Sequence, residues 1–405
     1  MDDHRLKAIV DQEINAAIGY IESETTTQRR KSLEAYLRKP YGTETEGRSS
    51  IVTGEVAEVV DGALPHLMRI FTASDNVVKF EAKNENGEKT AEQATHFCNW
   101  VFNSQNDGFS ILHETFKTAL LQKVGIFKVY YEEKDTTKKE SYKGLTEREL
   151  ALLLQDDTRE VVEQSKEEIQ VEELGPDGMA LPPLVKYDVV VKKKESVGKI
   201  QIDSLPPEEF LISKTAKTIE DSPFVAHRKL LTRTDLISLG YDAEVVNSLA
   251  AYDELTYTPE RVERYSQGEQ PYEMDSLDRA MQEIEIYECY IYVDYDKDDE
   301  AELRRIVYTS NQILENEETD YVPFHSICPY PLPHKFFGQS LADRAMDIQE
   351  QKTAITRSIL DSLYLSLAPR LGAVEGQVNL DDLLNLSAGG VVRMKTPNAV
   401  VPMTV

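Results

Sequence analysis

The chain has 405 residues, room for two or three domains at roughly 150 residues each. Hydrophobic residues make up 40% and charged residues 29%, a composition that excludes a chain disordered throughout. Acids outnumber bases 72 to 45, and the net charge of -27 excludes a grip on nucleic acid through clustered Lys and Arg, though not a surface that a duplex slides past. The same charge argues against docking on an anionic membrane.

Residues 4 to 38 read as mainly helical, with Ile9, Ile14, Ala17, Ile18 and Ile21 at helical spacing. Pro40-Tyr41-Gly42 stops that segment. Ser49 or Ser50 is expected to cap a second helix through Val52, Val56, Val60, Leu64 and Met68, with Pro65 kinking or breaking it. A short strand is expected over Asp75 to Ala82, then helices over Glu88 to Phe102 and Phe109 to Val124, ended by Gly125. Ile126 to Tyr131 follows as a strand.

From Glu147 to Asp177 there are eleven acids against three bases, so this stretch reads as a solvated surface insertion, helical in part, with a turn at Gly175-Pro176-Asp177-Gly178. Tyr187 to Val191 and Lys199 to Ile202 read as a hairpin turning at Ser196-Val197-Gly198. Glu283 to Val293 and Leu303 to Thr309 read as another. Gly338 to Leu367 is the longest helical pattern. Helices early, hairpins in the middle and one long helix late make the class α+β.

Catalytic motifs are scarce. The seven histidines form no His-Glu-x-x-His pair, and Asn86-Gly87-Glu88-Lys89-Thr90 lacks the glycines of a phosphate loop. Cys98, Cys289 and Cys328 are too far apart for a Cys-x-x-Cys site, and a reducing compartment suits them. The opening residues lack an apolar signal region, and no run reaches the roughly 18 apolar residues of a spanning helix. No cofactor is expected. Asp294, Asp296 and Asp298 imitate the first half of a calcium-binding loop, but Asp299 stands where that loop needs Gly and Arg305 where it needs Glu. The cluster is a candidate for a structural Ca2+ or Mg2+, or a polar turn between strands.

In the long helix, Ser340 is a plausible N-cap with Asp343 three residues on. Leu341, Ala345, Ile348, Ile355, Ile359 and Leu363 form one apolar stripe, and Lys352 falls inside it. A charge there suggests a seam where it reaches a carboxylate on a neighbour, or snorkels to water. The opposite face carries Asp343, Asp347, Glu350, Arg357 and Asp361. The helix is either a surface helix of its own domain or one packed beside copies of itself.

An ordered series of segments then resembles a family. It runs through Arg48-Ser49-Ser50 to Phe71, Ala119 to Val129, Leu205-Pro206-Pro207-Glu208-Glu209-Phe210-Leu211 and Phe224-Val225-Ala226-His227-Arg228. It closes with Phe337-Gly338-Gln339-Ser340, Asp347 to Thr353, Ala368-Pro369-Arg370, Val378 to Leu384 and Gly389-Gly390-Val391-Val392-Arg393. The series resembles podovirus portal proteins of the P22-like type, in their N-terminal portion.

The resemblance implies a portal fold: a mixed helix and hairpin wing over 1–335 with an acidic insertion over 143–180, a stem helix over 336–368, and the start of a β-containing clip over 369–405. It implies a ring of about twelve copies, assembled in the host cytoplasm and seated at a vertex of the virion. Implied partners are the terminase large subunit, a tail adaptor, the major capsid and scaffolding proteins, and double-stranded DNA passing through without sequence readout. No membrane partner is implied. Family members continue further, so Val405 is expected to fall inside the clip. Asp343, Asp347, Glu350, Lys352 and Arg357 are nominated for the stem and channel. Arg370, Asn379, Asp381, Arg393 and Lys395 are nominated for clip contacts. The competing readings are another acidic oligomeric connector, or a metal-dependent hydrolase using Asp294 to Asp298.

Overall fold

The structure, a computed structural model, describes residues 1–23, 25–74, 76–84, 87–153, 159–169, 184–252, 278–309, 312–367, 371–384 and 390–402. In chain order the elements begin with α1 (Asp3–Ser23), α2 (Thr25–Tyr36), α3 (Glu55–Thr72), α4 (Glu88–Trp100) and α5 (Gly108–Gln122). They continue with β1 (Gly125–Leu145), α6 (Glu147–Leu153), β2 (Arg159–Ile169), β3 (Leu184–Leu205), β4 (Phe210–Ile212), β5 (Phe224–Thr232), α7 (Arg233–Ser238) and α8 (Ala243–Ser248). Then come β6 (Glu283–Val293), β7 (Glu302–Thr309), β8 (Gln312–Glu318), β9 (Phe324–Ile327), α9 (Leu341–Leu367), β10 (Leu371–Ala373), α10 (Leu380–Leu384) and β11 (Val400–Pro402). The class is α+β, as expected. The chain divides into two units: Met1–Ala73 with Leu112–Phe127 and Ser204–Val405, and Ser74–Ile111 with Lys128–Asp203.

In the first unit, Leu6, Val10, Ile14, Ala17 and Ile21 fall on one face of α1 and are all buried. They share a core with a five-stranded antiparallel sheet of order β4-β5-β6-β7-β8. Each such side chain contributes about 1.5–3 kcal/mol over its exposed state. The β6–β7 hairpin stands where alternating Ile284 and Ile286 and the following apolar run placed it. A second core joins α2, α3, α5 and α9 through Ala35, Val56, Val60, Leu64, Met68, Phe116, Leu120, Ala342 and Ala345.

Two expectations fail in this unit. No Ser49 or Ser50 cap starts α3, which begins at Glu55 behind Gly54. Nor does Pro65 break it: the residue is exposed, so water can satisfy the carbonyl that its missing N–H leaves open.

Four sheet and sheet-side tyrosines sit against carboxylates. The Tyr241 hydroxyl donates to Glu315 at 2.9 Å and the Tyr290 hydroxyl to Glu288 at 2.8 Å, while Tyr308 donates to Asp11. Burial first, and then these acids, push the phenols of Tyr241, Tyr290 and Tyr308 above their ordinary 10.0, and burial and Glu285 do the same to Tyr287. The folded state therefore holds protons that the unfolded chain gives up near pH 10. Stability is fully present below that pH and falls as pH rises through it. An alkaline titration should show tyrosinate absorbance and unfolding rising together. Ionisation of these phenols with the fold intact would contradict this account.

The second unit holds α4, α6 and most of a sheet of order β2-β3-β1-β9, with β9 beside the start of β1. Leu150, Leu153, Val189 and Val191 form its small core. The acidic stretch supplies α6 and an edge strand, β2, paired antiparallel to β3 from Arg159–Lys193 to Ile169–Leu184. Its row of exposed charges is what keeps an edge from pairing with other chains. The turn at 175–178 lies outside the described residues.

Two further expectations are corrected here. Residues 187–202 form no hairpin, because β3 runs unbroken from Leu184 to Leu205 with strands on both sides. Gly198 serves a close approach and not a turn, since a Cβ there would overlap the Tyr131 ring. Residues 76–82 are not a strand either. Their backbone is held by side chains of α4: Asn99 accepts from Val77 N at 2.7 Å and donates to Val78 O at 2.7 Å, and Thr95 accepts from Phe80 N at 2.9 Å. Alternation in the sequence reported an extended chain correctly but not its partner.

Candidate functional site

The nominated residues concentrate on α9, which has 27 residues and spans about 40 Å at 1.5 Å per residue. Its start is fixed by the expected capping box. The Ser340 hydroxyl accepts from Asp343 N at 2.9 Å, and Asp343 Oδ2 accepts from Ser340 N at 2.8 Å. Just before it, Gly338 passes so close to Tyr330 and Cys328 that any Cβ would overlap the Tyr330 carbonyl and the cysteine sulfur.

One face of α9 lies against α2 and α3. Small or polar residues make that contact: Ala342, Ala345, Gln349 and Thr353 are buried. Gln349 Oε1 accepts from Val56 N at 2.9 Å and its Nε2 donates to Ala35 O at 2.9 Å. The Thr353 and Thr53 hydroxyls meet at 2.9 Å. The apolar pattern had not pointed to Gln349 or Thr353; their signal was the four-residue spacing from Ala345 through Gln349 to Thr353 on a face otherwise made of alanine.

Three of the five charged nominees prove to be anchors within the chain. Asp343 Oδ2 receives Lys123 Nζ at 2.9 Å, with both side chains largely buried. Lys352 Nζ reaches Glu55 Oε1 at 2.9 Å, and that hydrogen bond raises the ammonium's pKa. Arg357 clamps the 44–51 segment through Glu44 at 2.7 Å and Ile51 O at 2.8 Å, and it holds the Glu44 carboxyl below its usual range. Asp361 accepts from Ser49 N at 2.7 Å. Asp347 and Glu350 are exposed, as are Ile348, Ile355, Ile359 and Leu363.

The β6–β7 loop brings Asp294, Asp296 and Asp298 together, with one carboxylate oxygen of each within 4.8 Å of the others. Asp294 Oδ1 accepts from Lys297 N at 2.6 Å and Asp298 N at 3.2 Å. It thereby stabilises a turn in which Lys297 and Asp299 take φ of 68°. The remaining oxygens are of the hard type that Ca2+ or Mg2+ prefers.

After α9, β10 and β11 pair antiparallel from Leu371–Pro402 to Ala373–Val400. The Arg393 guanidinium grips Asp382 at 2.6 Å and holds its carboxyl below the usual range. Asn379 N donates to Arg393 O at 3.1 Å, so these two nominees meet through the backbone. Asp381 and Lys395 are exposed. Arg370 lies outside the described residues. A cavity of about 610 Å³ in the first unit is bounded by Leu33, Leu37, His113, Lys117, Leu121 and Leu205.

What this arrangement can do chemically is limited. Asp343, Lys352, Arg357 and Asp361 are spent on holding the helix to its own chain, while Asp347 and Glu350 face water. No curated protein matches the sequence. A family model does match, over residues 6–405, and with it the resemblance to phage portal proteins stands: the chain belongs to the phage SU10 portal protein family.

Proposed function

We propose that this chain is one subunit of a ring at a capsid vertex that conducts the genome during packaging and ejection. The single observation behind this reading is the family match along nearly the whole chain. Phage portal proteins are structural, non-enzymatic components of the virion, working as homo-oligomeric rings with the capsid and the packaging machinery. On this reading residues 1–335 form the wing, 336–368 the stem and 369–405 the start of the clip. The stem helix α9 borders the channel for double-stranded DNA. The clip, with Asn379, Asp381, Arg393 and Lys395, meets the terminase motor and later the tail adaptor. The net charge of -27 supports a conduit, because a surface that repels phosphates lets DNA pass without sticking.

Negative-stain electron microscopy of the purified full-length protein tests the reading. Rings with a central hole, about twelve-fold on averaging, are the expected result. Dispersed single copies at high protein concentration would overturn it.

A further inference from the structure

We infer that the exposed apolar stripe of α9, formed by Ile348, Ile355, Ile359 and Leu363, is the surface on which a neighbouring copy of this chain packs, and that the face carrying Asp347, Gln351, Ala354, Ser358 and Ser362 stays in water. This rests on the ring reading above and assigns the helix faces within it.

At about 100° per residue the helix resolves into distinct sectors. Ala342, Ala345, Gln349 and Thr353 fill a sector of about 80° against α2 and α3. Next to that sector, Asp343, Arg357 and Asp361 are tied to Lys123 and to the 44–51 segment. On the other side lies the apolar stripe, again about 80° wide. Its members are 55%, 59%, 62% and 51% exposed, which leaves four large aliphatic side chains side by side with more than half of each open to water. What remains is the polar sector around Asp347, Gln351, Ala354, Ser358 and Ser362, which also takes in Arg344 near its start and Leu365 near its end.

Two observations identify the occupant. First, the only charge in the stripe, Lys352, is already neutralised within its own chain by Glu55. A partner burying the stripe therefore has no cation to satisfy, as a surface prepared for an apolar neighbour requires. Second, a portal chain works in a ring of its own copies, so an identical chain stands beside every α9. Ring contacts are heterologous, so the stripe needs a different surface of the neighbour and not its own mirror image. Four exposed aliphatic side chains facing a wet channel would forfeit their burial around the whole ring, whereas the Asp347 to Ser362 face forfeits nothing there.

The test compares two variants of the full-length protein with the parent by mass photometry and negative-stain imaging. Ile355→Glu with Ile359→Glu should lower the ring fraction by about a hundredfold, because each copy would bury two unpaired carboxylates. Its circular dichroism and melting temperature, taken at a dilution where the parent is dispersed, should match the parent's. Ser358→Gln, on the polar face, should assemble as the parent does. Rings from the Ile355/Ile359 variant, or loss of rings from Ser358→Gln alone, would overturn the assignment while leaving the ring reading in place. A dispersed Ile355/Ile359 variant that melts several degrees lower would also overturn it, since the stripe would then be covered by its own chain. If the parent forms no rings, the ring reading fails and this assignment fails with it.

Discussion

Replacing Gln349 by Leu is expected to destabilise the protein by about 2 kcal/mol. The side chains are similar in volume, so the cost is not a cavity. Gln349 stands where two helices end. Val56 N belongs to the first turn of α3, where no intrahelical carbonyl is available, and Ala35 O belongs to the last turn of α2, where no intrahelical N–H is available. One side-chain amide satisfies both, at 2.9 Å each, with Gln349 and Val56 fully buried. Leu would leave the Val56 donor stranded away from water, at about 1–3 kcal/mol, while Ala35 O keeps the bond it accepts from Arg38 N at 3.2 Å. Urea unfolding should show a lower midpoint with an unchanged slope. A Gln349→Leu midpoint equal to the parent's would mean that the neighbours rearrange to supply Val56 N with a new acceptor.

Lys123→Met should be of similar size, about 3 kcal/mol. The Lys123 and Asp343 side chains are 9% and 13% exposed and meet at 2.9 Å. Removing the cation leaves a carboxylate poorly hydrated, though still hydrogen-bonded by Ser340 N. Combining Lys123→Met with Asp343→Asn should recover part of the loss, because a neutral amide can keep the cap without needing a cation. A double-mutant cycle reads the coupling directly, and strictly additive losses would show that the pair is not energetically linked. The comparison also separates structure from function at Asp343: a defect of Asp343→Ala in DNA passage cannot be read as a channel effect until its stability is matched.

The contrast between legible and illegible parts follows from the range of the forces. The Ser340–Asp343 capping box and the β6–β7 hairpin were readable because each is decided by residues close in sequence. The second hairpin failed because β3 continues extended from Leu184 to Leu205 as an inner strand between β2 and β1, which outweighs the turn preference of Ser196-Val197-Gly198. On α9 the apolar stripe was the visible feature, yet the face used within the chain is the adjacent one. Close helix packing there favours Ala342 and Ala345, and the buried polar positions are worthwhile only because Val56 N and Ala35 O happen to be in reach. No pattern along α9 reveals that, since both partners lie roughly 300 residues away. The same holds for Asp343 and Arg357, expected on the face opposite the stripe and tied to Lys123 and Glu44, and for Lys352, expected to meet a carboxylate on a neighbour and paired with Glu55 of its own chain.

The spacing of the anchors along α9 governs how the helix can move. Ties at Asp343, Gln349, Lys352, Arg357 and Asp361 are distributed over about 27 Å of its axis and leave it on different sides. A rod pinned at one level can swivel; one pinned at several levels and azimuths is keyed and can turn only by carrying α2 and α3 with it. Past Asp361 the described helix has only the stretch from Ser362 to Leu367, every residue of it exposed. There the Ser366 hydroxyl bonds back to Ser362 O at 2.9 Å, a contact that favours bending. Torque on the segment beyond the helix would therefore twist its last turn and a half first, and only what that stretch does not take up would pass through the keyed portion to the body of the first unit.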